Sequence, residues 1–551
     1  MDFQRIILVA ALTFTLVLMW QAWQEDYGQP KAVTEATTTD SVQLEDGAVE
    51  KREDMPRAPE EGGAAQSSDT PVVQQAKVAE RIHVRTDVYD IELDTTGGDL
   101  RRVDLLNYPV SVDKPDQPVR LMDDGDKFYI AQAAMIASGE SAAPSHHQQF
   151  RAEKSNYSLT EGEDSLEVRL SWSDETGSIH VDKIYTFHRG SYAIDVNFVV
   201  TNNSDRSWSG HVYRQLQRNE PSDSSSLFMP TYTGGVIYSQ EEKYEKIKFE
   251  DMREQSLNRN IQGGWVAMIE HYFLSSWIPD QEETGNYYTK APSGNRYILG
   301  MVSPSLTVAP GQTEETHSQL YVGPKLQEQL EEVAEGLELT VDYGLLTFIS
   351  KPLFWMLDLI HSLIGNWGWA IIILTLLIKI AFYKLSETSY KSMAQMRKLQ
   401  PRLQQLKERF GDDKQKMQEA MMKMYREEKV NPLSGCLPIL VQIPVFIALY
   451  YMLLESVELR QAPFMFWIED LSIKDPYYVL PVLMGLTMLI QHKLNPTPLD
   501  PIQARVMMIL PIAFTFFFMF FPAGLVLYWV ANNTLSIAQQ YYITRVVIGD
   551  K

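Results

Sequence analysis

Two stretches without a single charged residue, Val430–Leu454 and Val506–Thr544, constrain this 551-residue chain more than any other feature. A soluble domain has no need of apolar runs that long, so a purely soluble protein is excluded. The average charge hides the split. Residues 1–350 carry 29 Lys and Arg against 56 Asp and Glu, residues 351–551 carry 20 against 15, and the whole chain sums to −22. The acidic bulk speaks against a nucleic-acid-binding protein, and no DNA partner is expected. The only cysteine, Cys436, lies inside an apolar run, which excludes a disulfide scaffold.

Hydropathy predicts six transmembrane helices. The first apolar run, Ile6 to Trp23, reaches roughly 27 Å at about 1.5 Å per residue, enough to cross a bilayer. The bulky Trp20-Gln-Ala-Trp-Gln that ends it offers no small-x-small cleavage site, so residues 1–23 read as an uncleaved anchor. The other spans fall at 367–383, 433–454, 477–491, 506–521 and 525–543. Before them, residues 341–366 hold an amphipathic helix with one polar stripe (Thr347, Lys351, Asp358, Ser362), the pattern of a helix lying in the membrane surface. Loop Lys384–Asn431 carries 12 basic residues, and loop Glu455–Asp475 carries two basic and five acidic ones. The positive-inside rule then places the first loop and both termini in the cytoplasm, and the acidic stretch 24–343 outside.

That outside part has two sections. Residues 24–80 are acidic, Thr-, Gln- and Pro-rich and nearly free of aromatics, so they read as a disordered tether. Residues 81–340 show period-two alternation at Ile82–Leu93, Leu166–Trp172 and Ile184–Val200, with turn signals Gly97-Gly98 and Asn202-Asn203. Many short strands with turns between them predict a large β-sandwich, joined to the membrane part by a short helix over Lys325–Leu337. The pair His146-His147 and the many carboxylates show no metal-ligand spacing and no nucleophile motif. A sandwich of this size can hold sugar or peptide in a cleft, but the sequence names no ligand.

The loop 384–431 reads as a helical hairpin. Met393, Met396, Leu399, Leu403, Leu406 and Phe410 form one helical stripe, bent or interrupted at Pro401. Asp412–Gln415 then reads as a capping box opening a second helix with Met417, Met421 and Met424 along one side. Two readings stay open here. The stripe closes the hairpin and the basic face merely fixes topology, or the charges (Arg397, Lys398, Arg402, Lys407, Arg409) meet ribosomal RNA or anionic lipid.

Within the spans the informative residue is Lys379, about 18 Å along the axis from Trp367. Lysine at that depth costs a few kcal/mol unless it snorkels or faces water. Thr375 lies one turn away on the same face, and the last span offers Asn532, Ser536 and Gln539, with Asn533 and Gln540 beside them. Gln442 adds a polar group to the third span. A hydrated cavity, and snorkelling with ordinary interhelical hydrogen bonds, both fit this pattern. Proton or ion pumping does not, because Lys379 has no ionisable partner in the spans. No metalloprotease or serine-hydrolase motif is present, so no enzyme, no cofactor and no bound metal is expected. A lone cation in a groove can instead hold the polar flank of a chain that must cross. The competing readings are a membrane-anchored periplasmic ligand-binding protein and a small-solute carrier.

Several stretches are similar to one family. They are Gly365-Asn-Trp-Gly, Leu399-Gln-Pro, Val430-Asn-Pro-Leu-Ser-Gly-Cys-Leu-Pro, Ser456-Val-Glu-Leu-Arg-Gln-Ala-Pro-Phe, Asp475-Pro-Tyr-Tyr and Phe521-Pro-Ala-Gly-Leu-Val-Leu-Tyr. With them the chain resembles the YidC membrane protein insertases of Gram-negative bacteria, relatives of the mitochondrial oxidase-assembly and chloroplast Albino insertases. The resemblance implies a five-helix insertase core around a hydrophilic groove and a periplasmic all-β supersandwich. It implies an inner-membrane insertase and chaperone working alone and beside the Sec translocon, with nascent membrane proteins as substrates and the ribosome as a partner. In that family the groove charge is usually arginine, and Lys379 stands there here; Thr375 matches a functionally important threonine. Trp529 replaces the usual tyrosine, and Phe446, Met484 and Phe517 match apolar positions in contact with substrate.

Overall fold

The computed structural model describes residues 54–56, 80–138, 141–221, 231–410, 413–428, 437–494 and 501–548. The first predicted span at 6–23 and most of the tether 24–80 lie outside the described residues, as does the side chain of Lys407.

Alternation along the strands builds two sheets. In Ala193–Asn202 the residues Ile194, Val196, Phe198 and Val200 are buried, while Asp195, Asn197, Val199 and Thr201 between them are partly exposed. An eleven-stranded sheet has a central path through Arg296–Val302, Trp208–Asn219, Tyr129–Ala137 and Asp99–Pro109. A ten-stranded sheet has a path through Phe273–Pro279, Ser318–Pro324, Ala193–Asn202 and Ile179–His188. Their inner faces share one apolar core, in which Ile91, Val103 and Leu216 of the first sheet join Val181, Phe198 and Leu320 of the second. Polar bolts cross that core. The Lys183 ammonium, fully buried, donates to the carbonyls of Gly98 (2.8 Å) and Ala133 (2.7 Å).

Two runs read as single strands are hairpins instead. Ile82–Leu93 splits into Arg81–Arg85 and Tyr89–Asp94, because the Thr86 hydroxyl accepts from the N–H groups of Val88 and Tyr89 and closes a turn. Ile184–Val200 splits at Gly190, whose φ of 71° lets the chain reverse. Alternation resumes beyond each turn, after a phase shift at Val88-Tyr89 and a break over His188–Ser191, so a period counted over the whole run passes over both. Of the tether, Asp54–Pro56 lies against the outer face of the first sheet, where Gln215 Nε2 donates to the Asp54 carbonyl (3.2 Å) and the Lys290 ammonium to that of Met55.

The sandwich carries helix α1 (Phe249–Glu254) and hands over to the helical part through α2 (Gln327–Val333). Helix α3 (Thr347–Ile364) buries Leu353, Phe354, Leu357 and Ile360 but leaves Phe348, Trp355, Leu359 and Leu363 exposed. Lys351 of its polar stripe pairs with Glu338 (3.1 Å) at the foot of the sandwich. There follow α4 (Trp367–Ala381), the hairpin helices α5 (Tyr383–Phe410) and α6 (Lys414–Glu427), α7 (Leu437–Glu455), α8 (Val479–Leu494), α9 (Pro501–Phe518) and α10 (Ala523–Tyr542).

Hydropathy predicts six complete spans, and the helices do not confirm that number. Among the described residues no single helix is long and apolar enough to cross a membrane, and α4 with α5 passes only as a pair bent by 68°. Helix α4 stops at Ala381, and α10, though 20 residues long, spends its second half on Asn532, Asn533, Thr534, Ser536, Gln539 and Gln540. Pro401 does not break the hairpin, since α5 runs through it. Leu399, Leu403 and Met424 form the hairpin's core with Met396, Leu406 and Met421 packed on it. The capping residue is Asp413, whose carboxylate accepts from the Lys416 N–H at 3.1 Å.

The two parts are tied through loop 456–476. Arg460 and Gln461 both donate to the Pro109 carbonyl (2.6 and 2.7 Å), and His271 Nε2 meets the Leu454 carbonyl at 2.9 Å. Glu455 is buried facing Lys325, and burial lifts its carboxyl above the usual range. A cavity of about 390 Å³ lies beside them, lined by Asp87, Asn107, Tyr108, Tyr192, Glu458 and Arg460 among others.

Candidate functional site

Three helices meet along one polar seam. On α4, Thr375 and Lys379 are one turn apart; on α7, Gln442 and Phe446; on α10, Trp529, Asn532 and Ser536 follow one another on a single face. Lys379 Nζ donates to Ser536 Oγ across the helices at 2.8 Å, and Gln442 Nε2 donates to Asn532 Oδ1 at 2.7 Å. The Ser536 hydroxyl in turn donates to the Asn532 carbonyl at 2.6 Å. The lysine is thus held by a neighbouring helix and not extended towards a helix end. Beside it, a cleft of about 20 Å³ is lined by Lys379, Ser386, Gln442 and apolar residues, enough for one water.

The seam has an aromatic end. Trp529 stands edge-on to Phe446 (4.2 Å between ring centroids) and to Phe518 (4.7 Å). Such pairs add about 0.5–1.5 kcal/mol each beyond their buried area. Three helices therefore meet at the tryptophan ring: α10 itself, α7 through Phe446 and α9 through Phe518.

The expected site residues separate into two groups. Lys379, Gln442, Asn532, Ser536, Phe446 and Trp529 come together. Thr375 is only 2% exposed, and its hydroxyl bonds the Ile371 carbonyl of its own helix at 2.6 Å. Met484 is fully buried, and Phe517 turns outward at 39% exposed, in contact with Phe518 and Phe521. Asn533 and Gln540 face the other way, towards Thr487 and the Leu494 carbonyl on α8. Two seam residues escaped the sequence reading. Phe518 was hidden in a run of phenylalanines with no period to single it out, and Tyr390 of the hairpin lies against Ser536. Of the hairpin cations, Arg397, Lys398, Arg402 and Arg409 are exposed, Arg402 in a pair with Glu428.

The N-terminal ends of α4, α8 and α10 are built by the matched motifs. Asn366 caps α4 by accepting from the Trp369 N–H (3.1 Å) and donates to the carbonyls of Pro463 (3.1 Å) and Phe464 (3.0 Å). A side chain on Gly368 would strike the Phe464 ring. Asp475 takes the N–H groups of Tyr477 (3.0 Å) and Leu480 (2.8 Å) and the Trp467 indole (2.9 Å), fixing the start of α8. Pro522-Ala-Gly opens α10, with Ala523 and Gly524 donating to the carbonyls of Ile473 (2.7 Å) and Leu471 (2.8 Å).

Outward, the helices show Ile380, Val482, Leu486, Met508, Ile512 and Phe516, all exposed. Apolar outside and polar along an inner seam, with a large all-β domain attached, is the build of an integral membrane protein with an extramembrane domain. Family models agree: residues 81–356 match the YidC periplasmic domain, and residues 359–550 match the 60Kd inner membrane protein. The membrane protein insertase YidC of Thioalkalivibrio sulfidiphilus is 52% identical, covering 99% of this chain and 98% of its own. That of Alkalilimnicola ehrlichii is 53% identical, covering 99% and 96%. A crystal structure of an active YidC insertase covers 85% of this chain and 93% of its own, with 19% identity and a TM-score of 0.38. The chain belongs to the YidC family of membrane protein insertases, which is not an enzyme class.

Proposed function

We propose that this chain inserts and folds integral inner-membrane proteins, alone and together with the Sec translocon, through the seam centred on Lys379. The observation that carries the reading is the Lys379–Ser536 contact, a cation held between helices whose outer faces are apolar. A charged or polar segment moving through hydrocarbon costs a few kcal/mol per charge. The Lys379 ammonium offers an acidic or polar flank a partner by exchanging Ser536 for it, while Asn532 and Gln442 supply further hydrogen bonds. Phe446, Phe518 and Trp529 receive apolar side chains, with Met484 and Phe517 as further contacts once helices part. Thr375 supports the α4 backbone beside the lysine. No covalent step and no cofactor enters.

The spans at 367–383, 433–454, 477–491, 506–521 and 525–543, with the anchor at 1–23, place both termini and the hairpin in the cytoplasm and the sandwich in the periplasm. There Arg397, Lys398, Arg402, Lys407 and Arg409 meet the ribosome or anionic lipid. The experiment is site-specific photocrosslinking from positions 375, 379, 446 and 529 to a stalled nascent membrane protein. Adducts at 379, 446 and 529 are expected, and their absence at all three with adducts elsewhere in the core would sink the seam.

A further inference from the structure

Outside the seam, one cluster of metal-ligating side chains stands out among the described residues. Asp54 of the tether sits on the His146-His147 pair, its Oδ2 3.0 Å from His146 Nε2 and its Oδ1 3.4 Å from His147 Nε2. The three ligand atoms lie within 4.8 Å of one another. The histidine pair shows no ligand spacing in sequence because its third donor stands 92 positions earlier. We propose that Asp54, His146 and His147 form a site for a zinc-class divalent cation, which staples the tether to the sandwich.

Four features support it. Two imidazole nitrogens and one carboxylate oxygen are a donor set that zinc accepts, leaving a fourth position for water. His146 is 2% exposed and forms the floor, while Asp54 and His147 form an accessible rim, so a cation can enter without unfolding anything. The ring of His146 is already aimed. Its Nδ1 is hydrogen-bonded to the Tyr213 hydroxyl, which also accepts from the His146 backbone N–H at 3.1 Å. That hydroxyl can give its proton to Nδ1 or accept one from it. In the first state Nε2–H bonds Asp54, and in the second the Nε2 lone pair is free for a metal. Lastly, the segment is anchored independently of any ion. Gln215 holds the Asp54 carbonyl, and is itself fixed by the Tyr288 hydroxyl (2.6 Å) and by Gln132 (2.8 Å), while Lys290 holds the Met55 carbonyl. Bonds of about 2.0–2.2 Å to zinc need only a modest closing of the exposed His147 and of Asp54.

The test uses the full chain in detergent, stripped with a chelator and titrated with Zn2+ alone against a chromophoric competitor. One equivalent is expected, with affinity at least about tenfold lower in Asp54→Asn and in His147→Ala, both surface changes that leave the fold intact. Zinc, but not Mg2+, is also expected to slow proteolysis around residue 54. Unchanged binding in the Asp54→Asn, His147→Ala double variant overturns the site, as does a wild-type chain that takes up no zinc at micromolar concentration. Binding lost in His147→Ala but intact in Asp54→Asn assigns the ion to the histidines alone and overturns the staple.

Discussion

Lys379 differs from an ordinary buried lysine in having an exchangeable partner. A serine hydroxyl is a weak competitor for an ammonium compared with a carboxylate, so the contact can be surrendered to a passing acidic flank. Depletion followed by complementation should show Lys379→Arg active and Lys379→Ala at least about tenfold impaired, equivalent to about 1.4 kcal/mol, on a substrate with a charged translocated segment. Full activity of the alanine variant on that substrate would remove the charge from the mechanism. Glu458, beside the cavity between the two parts, makes a different point. Burial pushes its carboxyl from 4.5 up to about 7. The favourable contribution of its neutral form is therefore complete below pH 4.5 and lost as pH rises through 7. His271 slopes the opposite way: burial lowers it from 6.5 to about 4, so its contribution is complete above 6.5 and lost as pH falls to 4. Glu458→Gln should accordingly raise thermal stability at pH 8, by roughly 2 kcal/mol, and change little at pH 4.5. An equal gain at both values would show that the carboxyl is not what titrates.

At the scale of elements, the short motifs turn out to be helix starts. Asn366→Ala removes the cap of α4 and both donations to the loop, and should lower stability by about 1–2 kcal/mol. Asn366→Asp keeps the cap but loses the donations, so unfolding temperatures should rank wild type, Asp, Ala; an aspartate variant no better than alanine would mean that the cap contributes nothing. The sequence showed these motifs and the polar residues of α10, because both are local patterns. It did not show which polar residue faces which helix. Thr375 and Lys379 share a face on paper, yet the threonine bonds its own backbone and the lysine reaches α10. Phe517 and Phe518 are equivalent in hydropathy, and only tertiary packing separates them. The same limit applies to the sandwich, where the Thr86 hydroxyl closes a turn and the alternation restarts one position out of phase at Tyr89.

Across the whole molecule, the sandwich and the seam are separable in chemistry though joined in space. No residue of the seam bonds the sandwich among the described contacts; Arg460 and Gln461 of the loop, Leu454 at the end of α7 and Lys351 of α3 do. Deleting most of residues 81–320 should therefore leave insertion activity in place, measured by complementation after depletion, whereas loss of insertion would move the function into the sandwich. The loop itself has a larger effect on motion. It grips the N-terminal ends of α4, α8 and α10 through Phe464, Asp475, Leu471 and Ile473, whereas among the described residues the far ends meet through side chains such as Lys379, Ser536 and Gln540. Helices riveted at one end spread like the ribs of a fan: they separate most where they are not riveted, and scarcely at all at the rivet. On the proposed function, a guest is then expected to enter from the unriveted ends, a direction set by the loop 456–476 at the other end of the helices.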